Sequence, residues 1–235
     1  MLLKNAVVQR ILGGGAIERL GIRMVSAIEY MILSSHKDRE VLRLIRSTRW
    51  QRRTLVTFNE AYNVYSLCRS MASMPGEIAE IGVYEGSTAR LICELKGNKS
   101  VHLFDTFEGL PEGSTAAEKT VYGNKPQLYK CSLESVQGYL KSFENVNYYR
   151  GFFPESAHGL YPNLKFSFVH MDVDLYQSTL DCLKFFYPRM VPGGIMLSHD
   201  YSLLEGVGRA FREFLADKPE RLIELPTTQA MIIKR

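Results

Sequence analysis

The chain has 235 residues with a hydrophobic share of 46%, enough apolar content to bury the core of one sizeable domain. Its net charge of +4 makes no case for nucleic acid, and no basic stripe interleaved with aromatics accompanies the central region. Cys68, Cys93, Cys131 and Cys182 lie far apart, which excludes paired zinc or redox motifs and fits reduced thiols in a cytoplasmic protein.

The charge is uneven. Residues 1–53 hold eleven Lys/Arg against four Asp/Glu, a net of +7, which leaves the remainder at −3. A short helical piece precedes the break Gly13-Gly14-Gly15, and apolar spacing then predicts helices over Ile17–Leu33, Lys37–Arg46 and Asn59–Ala72. The apolar run from Ile22 to Leu33 contains Arg23 and Glu29 and is too short to span a bilayer. Two regions follow: a basic helical extension over 1–53, acting as a cap or an oligomer contact, and a domain over 54–235.

Met74-Pro75-Gly76 turns the chain into a strand at Glu77–Ile81, followed by Gly82-Val83-Tyr84-Glu85-Gly86-Ser87 and the helical spacing of Ser87–Leu95. A buried strand that ends in a glycine turn opening a helix is where α/β sheets bind nucleotide-like ligands, because glycine lets the backbone come close. Gly82, Gly86 and Ser87 have this placement, but Tyr84 stands where a dinucleotide fingerprint needs its second glycine. A pyrophosphate cofactor is therefore disfavoured. The carboxylate of Glu80, just before the turn, favours a cation or hydroxyl donor over a phosphate.

The next strand, Val101–Asp105, ends in an acid placed to hold the hydroxyls of a ribose. Adenosine without pyrophosphate, beside a carboxylate facing an ammonium group, describes S-adenosylmethionine. The segment from Glu108 to Lys130, rich in glycine, proline and polar residues, is too long for a plain connector and reads as a lid. Further strands are expected at Asn147–Arg150, Phe166–Val173 and Gly194–Ser198, and a closing antiparallel hairpin at Arg221–Leu225 and Gln229–Ile233. Alternation of strands and helices gives an α/β fold with a doubly wound, mostly parallel sheet.

Asp172 and Asp174 emerge at the end of the strand from Phe166, and His199-Asp200 ends the next one. Carboxylates gathered at neighbouring strand ends repel one another and call for a cation among them.

At these residues the chain resembles the class I methyltransferases and, more narrowly, the macrocin O-methyltransferase family, which methylates sugar hydroxyls. The resemblance runs in order through Glu80–Ser87, Phe104-Asp105-Thr106-Phe107-Glu108-Gly109-Leu110-Pro111, Gly151–Ser156, Met171–Thr179, Val191–Gly194 and Asp200-Tyr201. It implies that Glu80, Gly82, Tyr84, Gly86, Ser87, Asp105 and Thr106 bind S-adenosylmethionine. It also implies that Asp172 and Asp200 hold magnesium and that Asp174 is the general base.

His199 stands where the family has an aspartate. Three readings follow: His199 ligates a softer cation such as manganese, it leaves magnesium to Asp172, Asp200 and water, or it acts as a catalytic base without metal. The expected activity is methyl transfer to a hydroxyl of a sugar or glycosylated metabolite by a homo-oligomeric enzyme that binds a small molecule or glycan. The alternatives are methylation of a catechol-like phenol and a non-catalytic adenosyl-binding module.

Overall fold

A computed structural model describes residues 9–10, 16–123, 125, 127–160 and 162–235. Most of the short helical piece expected before Gly13, and the glycine break itself, lie outside these residues; Gln9 and Arg10 are helical.

Three helices come first: α1 (Ala16–Ser34), α2 (Arg39–Gln51) and α3 (Phe58–Ser70). Helix α2 starts at Arg39 because Asp38 caps it, accepting the backbone N–H of Glu40 at 2.7 Å. It runs five residues past the expected end, where Thr48 is buried and Arg49 reaches Ser26 of α1 at 2.7 Å. Helix α3 opens with a capping box between Thr57 and Glu60.

The sheet follows as β1 (Glu77–Ile81), β2 (Val101–Asp105), β3 (Val146–Arg150), β4 (Phe166–Met171), β5 (Met190–Ser198), β6 (Ile223–Glu224) and β7 (Ala230–Ile233). Between them lie α4 (Ser87–Leu95), α5 (Ala116–Tyr122), α6 (Leu133–Leu140), α7 (Tyr176–Phe186) and α8 (Glu205–Leu215). The strand order is β3-β2-β1-β4-β5-β7-β6, parallel from β3 to β5, with β7 antiparallel to both β5 and β6.

Two expectations are corrected. β5 begins at Met190 and passes through Pro192-Gly193 without a break: Gly193 takes a positive φ of 81° and donates to the carbonyl of Lys234 at 2.7 Å. β4 ends at Met171, so Asp172 and Asp174 stand in the connection beyond it.

Alternation along each strand sends neighbouring residues to opposite faces. Ile78, Leu103, Phe168 and Leu197 pack with α2, α3, α4 and α6, whereas Ala79, Val169, Met171 and Met196 pack with α7 and α8. Leu42, Ile45 and Val64 belong to the first of these cores, so the N-terminal helices are built into the sheet's own packing. The four cysteines are unpaired.

The strand order reverses between β1 and β4, the place where sheets of this kind open a crevice beyond their carboxyl ends.

Candidate active site

That crevice holds a cavity of about 460 Å³, within the range that takes a small-molecule ligand. Gly82, Tyr84, Ser87, Asp105, Thr106, Asp172, Asp174, His199 and Asp200 all line it. Glu80 and Gly86, the other expected cofactor residues, do not.

Glu80 is fully buried in the sheet, its Oε1 2.9 Å from Nδ1 of His170 on the adjacent strand. Its position in β1 sends its side chain into the helix-covered face and away from the strand end. Gly86 is the N-cap of α4 in a left-handed conformation, and a Cβ there would stand 3.2 Å from Val136. Its glycine serves helix packing.

Gly82 also has a reason other than the expected one. At φ 85° a Cβ would come within 1.8 Å of the backbone carbonyl oxygen of Asp172. The missing side chain therefore lets β1 and β4 close together at the crevice, and any ligand gains from it only indirectly.

Asp105 organises the turn. Its Oδ2 accepts the N–H groups of Val83 at 2.7 Å and Tyr84 at 2.9 Å, and its Oδ1 accepts that of Phe107 at 2.7 Å. A carboxylate offers about four acceptor positions, so one on Oδ1 is left unused by these three bonds. Thr106 bonds the carbonyl of Gly109 at 2.7 Å and fixes the start of the long segment that follows.

The chemistry gathers around His199, which is buried. Its Nδ1 lies 3.1 Å from Oδ2 of Asp200 and 3.6 Å from Oδ1 of Asp172, and its Nε2 lies 3.2 Å from Oε2 of Glu60. None of these approaches has hydrogen-bond geometry, so both ring nitrogens are buried without a directed partner. Burial alone would lower the proton affinity of His199, but the carboxylates of Asp172, Glu60 and Asp200 hold it well above the usual histidine range.

Asp172 responds mainly to burial and also to the charges of Asp200 and Glu80, which push it up to about 6 against the opposing pull of His199. Asp174 is raised well above the ordinary carboxylate range, first by burial and then by Asp200 and Asp172. Asp174 and Asp200 hold left-handed backbone at φ 58° and 57°, a strained conformation of the kind that collects at functional sites.

Several lining residues were not expected from the sequence. Glu60 belongs to the capping box of α3, and its Oε1 accepts the hydroxyl of Thr228 at 2.6 Å. Burial would raise it, but the nearby His199 charge and the bonds from Thr228 and Thr57 hold it far below the carboxylate range. Its capping signal Thr57-x-x-Glu60 is readable in the sequence, but its reach to His199 is not. Tyr122 and Tyr129 come from the segment expected as a lid, which contains α5; burial foremost, then Asp174, raises both phenols. Glu18 and Ile22 of α1 complete the roof.

The model of the family described as Macrocin-O-methyltransferase (TylF) matches residues 59–229. The chain belongs to the macrocin-O-methyltransferase family. It is 28% identical over 145 residues, 55% of this chain and 54% of the relative, to the 8-demethyl-8-(2,3-dimethoxy-alpha-L-rhamnosyl)-tetracenomycin-C 4'-O-methyltransferase of Streptomyces olivaceus. It is 26% identical over 157 residues, 61% of this chain and 60% of the relative, to the demethyldecarbamoylnovobiocin O-methyltransferase of Streptomyces niveus. The chain thus spans little more than half the length of these curated relatives. The solved structure of the O-methyltransferase NovP superposes with a TM-score of 0.70 at 22% identity over 77% of this chain and 81% of that one. This likeness shows the family's fold, a mostly parallel sheet with an antiparallel edge. Among the described residues no helix is long and apolar enough to cross a membrane.

Proposed function

We propose that the protein transfers the methyl group of S-adenosylmethionine to a hydroxyl of a sugar or glycosylated metabolite. One observation carries the reading: Asp172, Asp174, His199 and Asp200 converge in one cavity with the turn at Gly82–Tyr84, in a chain of this family. One curated relative is named for 4'-O-methylation of a rhamnosyl tetracenomycin, which supports this class of acceptor over a catechol.

When bound, S-adenosylmethionine supplies the electrophilic methyl, and a divalent cation supplies positive charge that acidifies and orients an acceptor hydroxyl. The turn at Gly82–Tyr84, braced by Asp105, would hold the cofactor together with Thr106 and Phe153, which line the same cavity. Tyr122 and Tyr129 also line it and would border the acceptor.

Asp174 is the general base. Its raised proton affinity suits removal of an alcohol proton better than an ordinary carboxylate would.

The donors also fit a cation. Asp172, His199 and Asp200 each place one ligand atom within 4.8 Å of the others, and Nδ1 of His199 has no directed partner. An imidazole beside two carboxylates favours manganese over magnesium. Nδ1 would lose its proton on binding a cation, and Glu60, 3.2 Å from Nε2, would favour the remaining ring proton on that side.

Homo-oligomerisation belongs to the same reading. The outer side of α1 exposes Leu20, Met24, Val25, Ile28, Met31 and Ile32. An antiparallel second copy would set Leu20 against Ile32 and Met24 against Ile28, covering an apolar stripe that monomers rarely leave bare. The reaction is tested by incubating the protein and labelled S-adenosylmethionine with methyl rhamnosides and, separately, with catechol. Label on a sugar oxygen is the expected result; label on catechol alone assigns the reaction to phenols.

A further inference from the structure

We infer that Glu118 is a positioning residue that latches the lid to the turn carrying Asp174. Its carboxylate caps two helices at once. Oε2 accepts the N–H of Thr115 at 2.9 Å and the hydroxyl of Ser114 at 3.2 Å, closing the capping box of α5. Oε1 accepts the N–H of Tyr176 at 2.6 Å, the first residue of α7.

Helix α7 has no cap of its own. Leu175 occupies its N-cap position and offers no side-chain acceptor, so the N–H of Tyr176 and the positive end of the helix dipole are met by Glu118 from the lid. The capped turn follows directly on Asp172-Val173-Asp174, whose backbone is left-handed at Asp174. The bond from Tyr176 to Glu118 thus ties α5 to the turn that carries Asp174.

The surroundings leave room for this carboxylate. Glu118 is only 6% exposed. A Cβ on Gly206 of α8 would come within 2.6 Å of Glu118 Oε1 and 3.2 Å of Tyr176, and a Cβ on Gly113 would come within 2.4 Å of Glu118 Cβ. The Arg209 guanidinium stacks over the Tyr176 ring at 3.9 Å and holds the far side of the same junction. With the latch made, α5 and the segment after it bring Tyr122 and Tyr129 over the cavity.

The effect on transfer rests on the proposed function, but the latch itself does not. Hydrogen–deuterium exchange of residues 113–123 and 174–178 is compared in the wild type, Glu118→Gln and Gly206→Ala. A glutamine has a single acceptor oxygen and cannot serve both helices. Losing a charge-assisted bond of this kind should speed exchange in both segments by about ten- to a hundred-fold.

Gly206→Ala favours helix α8 by propensity but crowds Oε1, so faster lid exchange from this variant is the result a purely local stability effect would not give. In the rhamnoside assay both variants should raise KM for the acceptor and lower kcat, with unchanged affinity for S-adenosylhomocysteine. Unchanged exchange in both segments for both variants overturns the latch, whatever the transfer assay shows. If the wild type transfers no methyl but the variants loosen both segments together, the latch stands and the proposed reaction falls.

Discussion

The floor of the cavity and its roof are made in different ways. The floor consists of strand ends and the turn after β1, whose backbone N–H groups at Val83 and Tyr84 bond the Asp105 carboxylate. The roof consists of side chains reaching across from α1, α3 and the lid: Glu18, Glu60, Tyr122 and Tyr129. The floor is a property of the sheet and is fixed by topology. The roof depends on individual contacts between distant segments.

The variant expected to do most damage breaks the floor's chemistry while sparing its shape. Asp172→Ala removes one of the carboxylates around His199. Transfer should fall by roughly 100- to 10 000-fold, while calorimetry shows S-adenosylhomocysteine binding within about a factor of two of wild type, well below 1 kcal/mol. Normal turnover would remove the site from Asp172.

Glu60→Gln tests whether a roof residue controls the floor. It keeps the size of the side chain but takes the charge from Nε2 of His199. Manganese affinity, read by calorimetry, should weaken by about ten- to a hundred-fold; an unchanged affinity would leave Glu60 as a helix cap and nothing more.

Gly82→Ala bears on the floor's shape. Its Cβ would meet the Asp172 carbonyl at 1.8 Å in a left-handed residue, a strain of about 1–3 kcal/mol or more. The thermal midpoint should drop by several degrees, at about 2–4 °C per kcal/mol for a chain of this size. A midpoint equal to wild type would show that the strands part there at no cost.

A smaller effect concerns pH. The folded pKa of Asp172 is raised from 3.8 to about 6, and that of Asp174 is raised well above the same starting point. In that window the folded state binds more protons than the unfolded one, so these groups withdraw stability as pH rises. Asp174→Asn should therefore melt higher than wild type at neutral pH, and the difference should shrink toward pH 4. A variant that melts lower at neutral pH would contradict the burial of an ionised Asp174. Smallest is the change in fold: Met24→Glu on the outer face of α1 should leave the monomer intact and lower the mass seen by light scattering.

The same division explains what the sequence made legible. Gly82, Ser87, Asp105, Asp172 and His199-Asp200 stand at the ends of short apolar runs, where strand periodicity marks both the strand and the edge from which they emerge. The sheet was readable for that reason. Glu80 was misplaced because position before a glycine turn does not reveal which face the side chain takes, and its partner His170 lies 90 positions away. Glu118 and Tyr176 are 58 positions apart, and the composition of the lid, with its glycines and prolines, hid the capping box that starts α5. Tyr122 and Tyr129 read as ordinary aromatics until the fold brings them to one cavity.

The most direct measurement is a single-turnover experiment with Asp174→Asn loaded with labelled S-adenosylmethionine and a methyl rhamnoside, beside wild type, after calorimetry with S-adenosylhomocysteine on both. The account predicts that both proteins bind the cofactor product and that only wild type labels the sugar. Equal labelling by the variant, or a wild type that binds no S-adenosylhomocysteine, would contradict it.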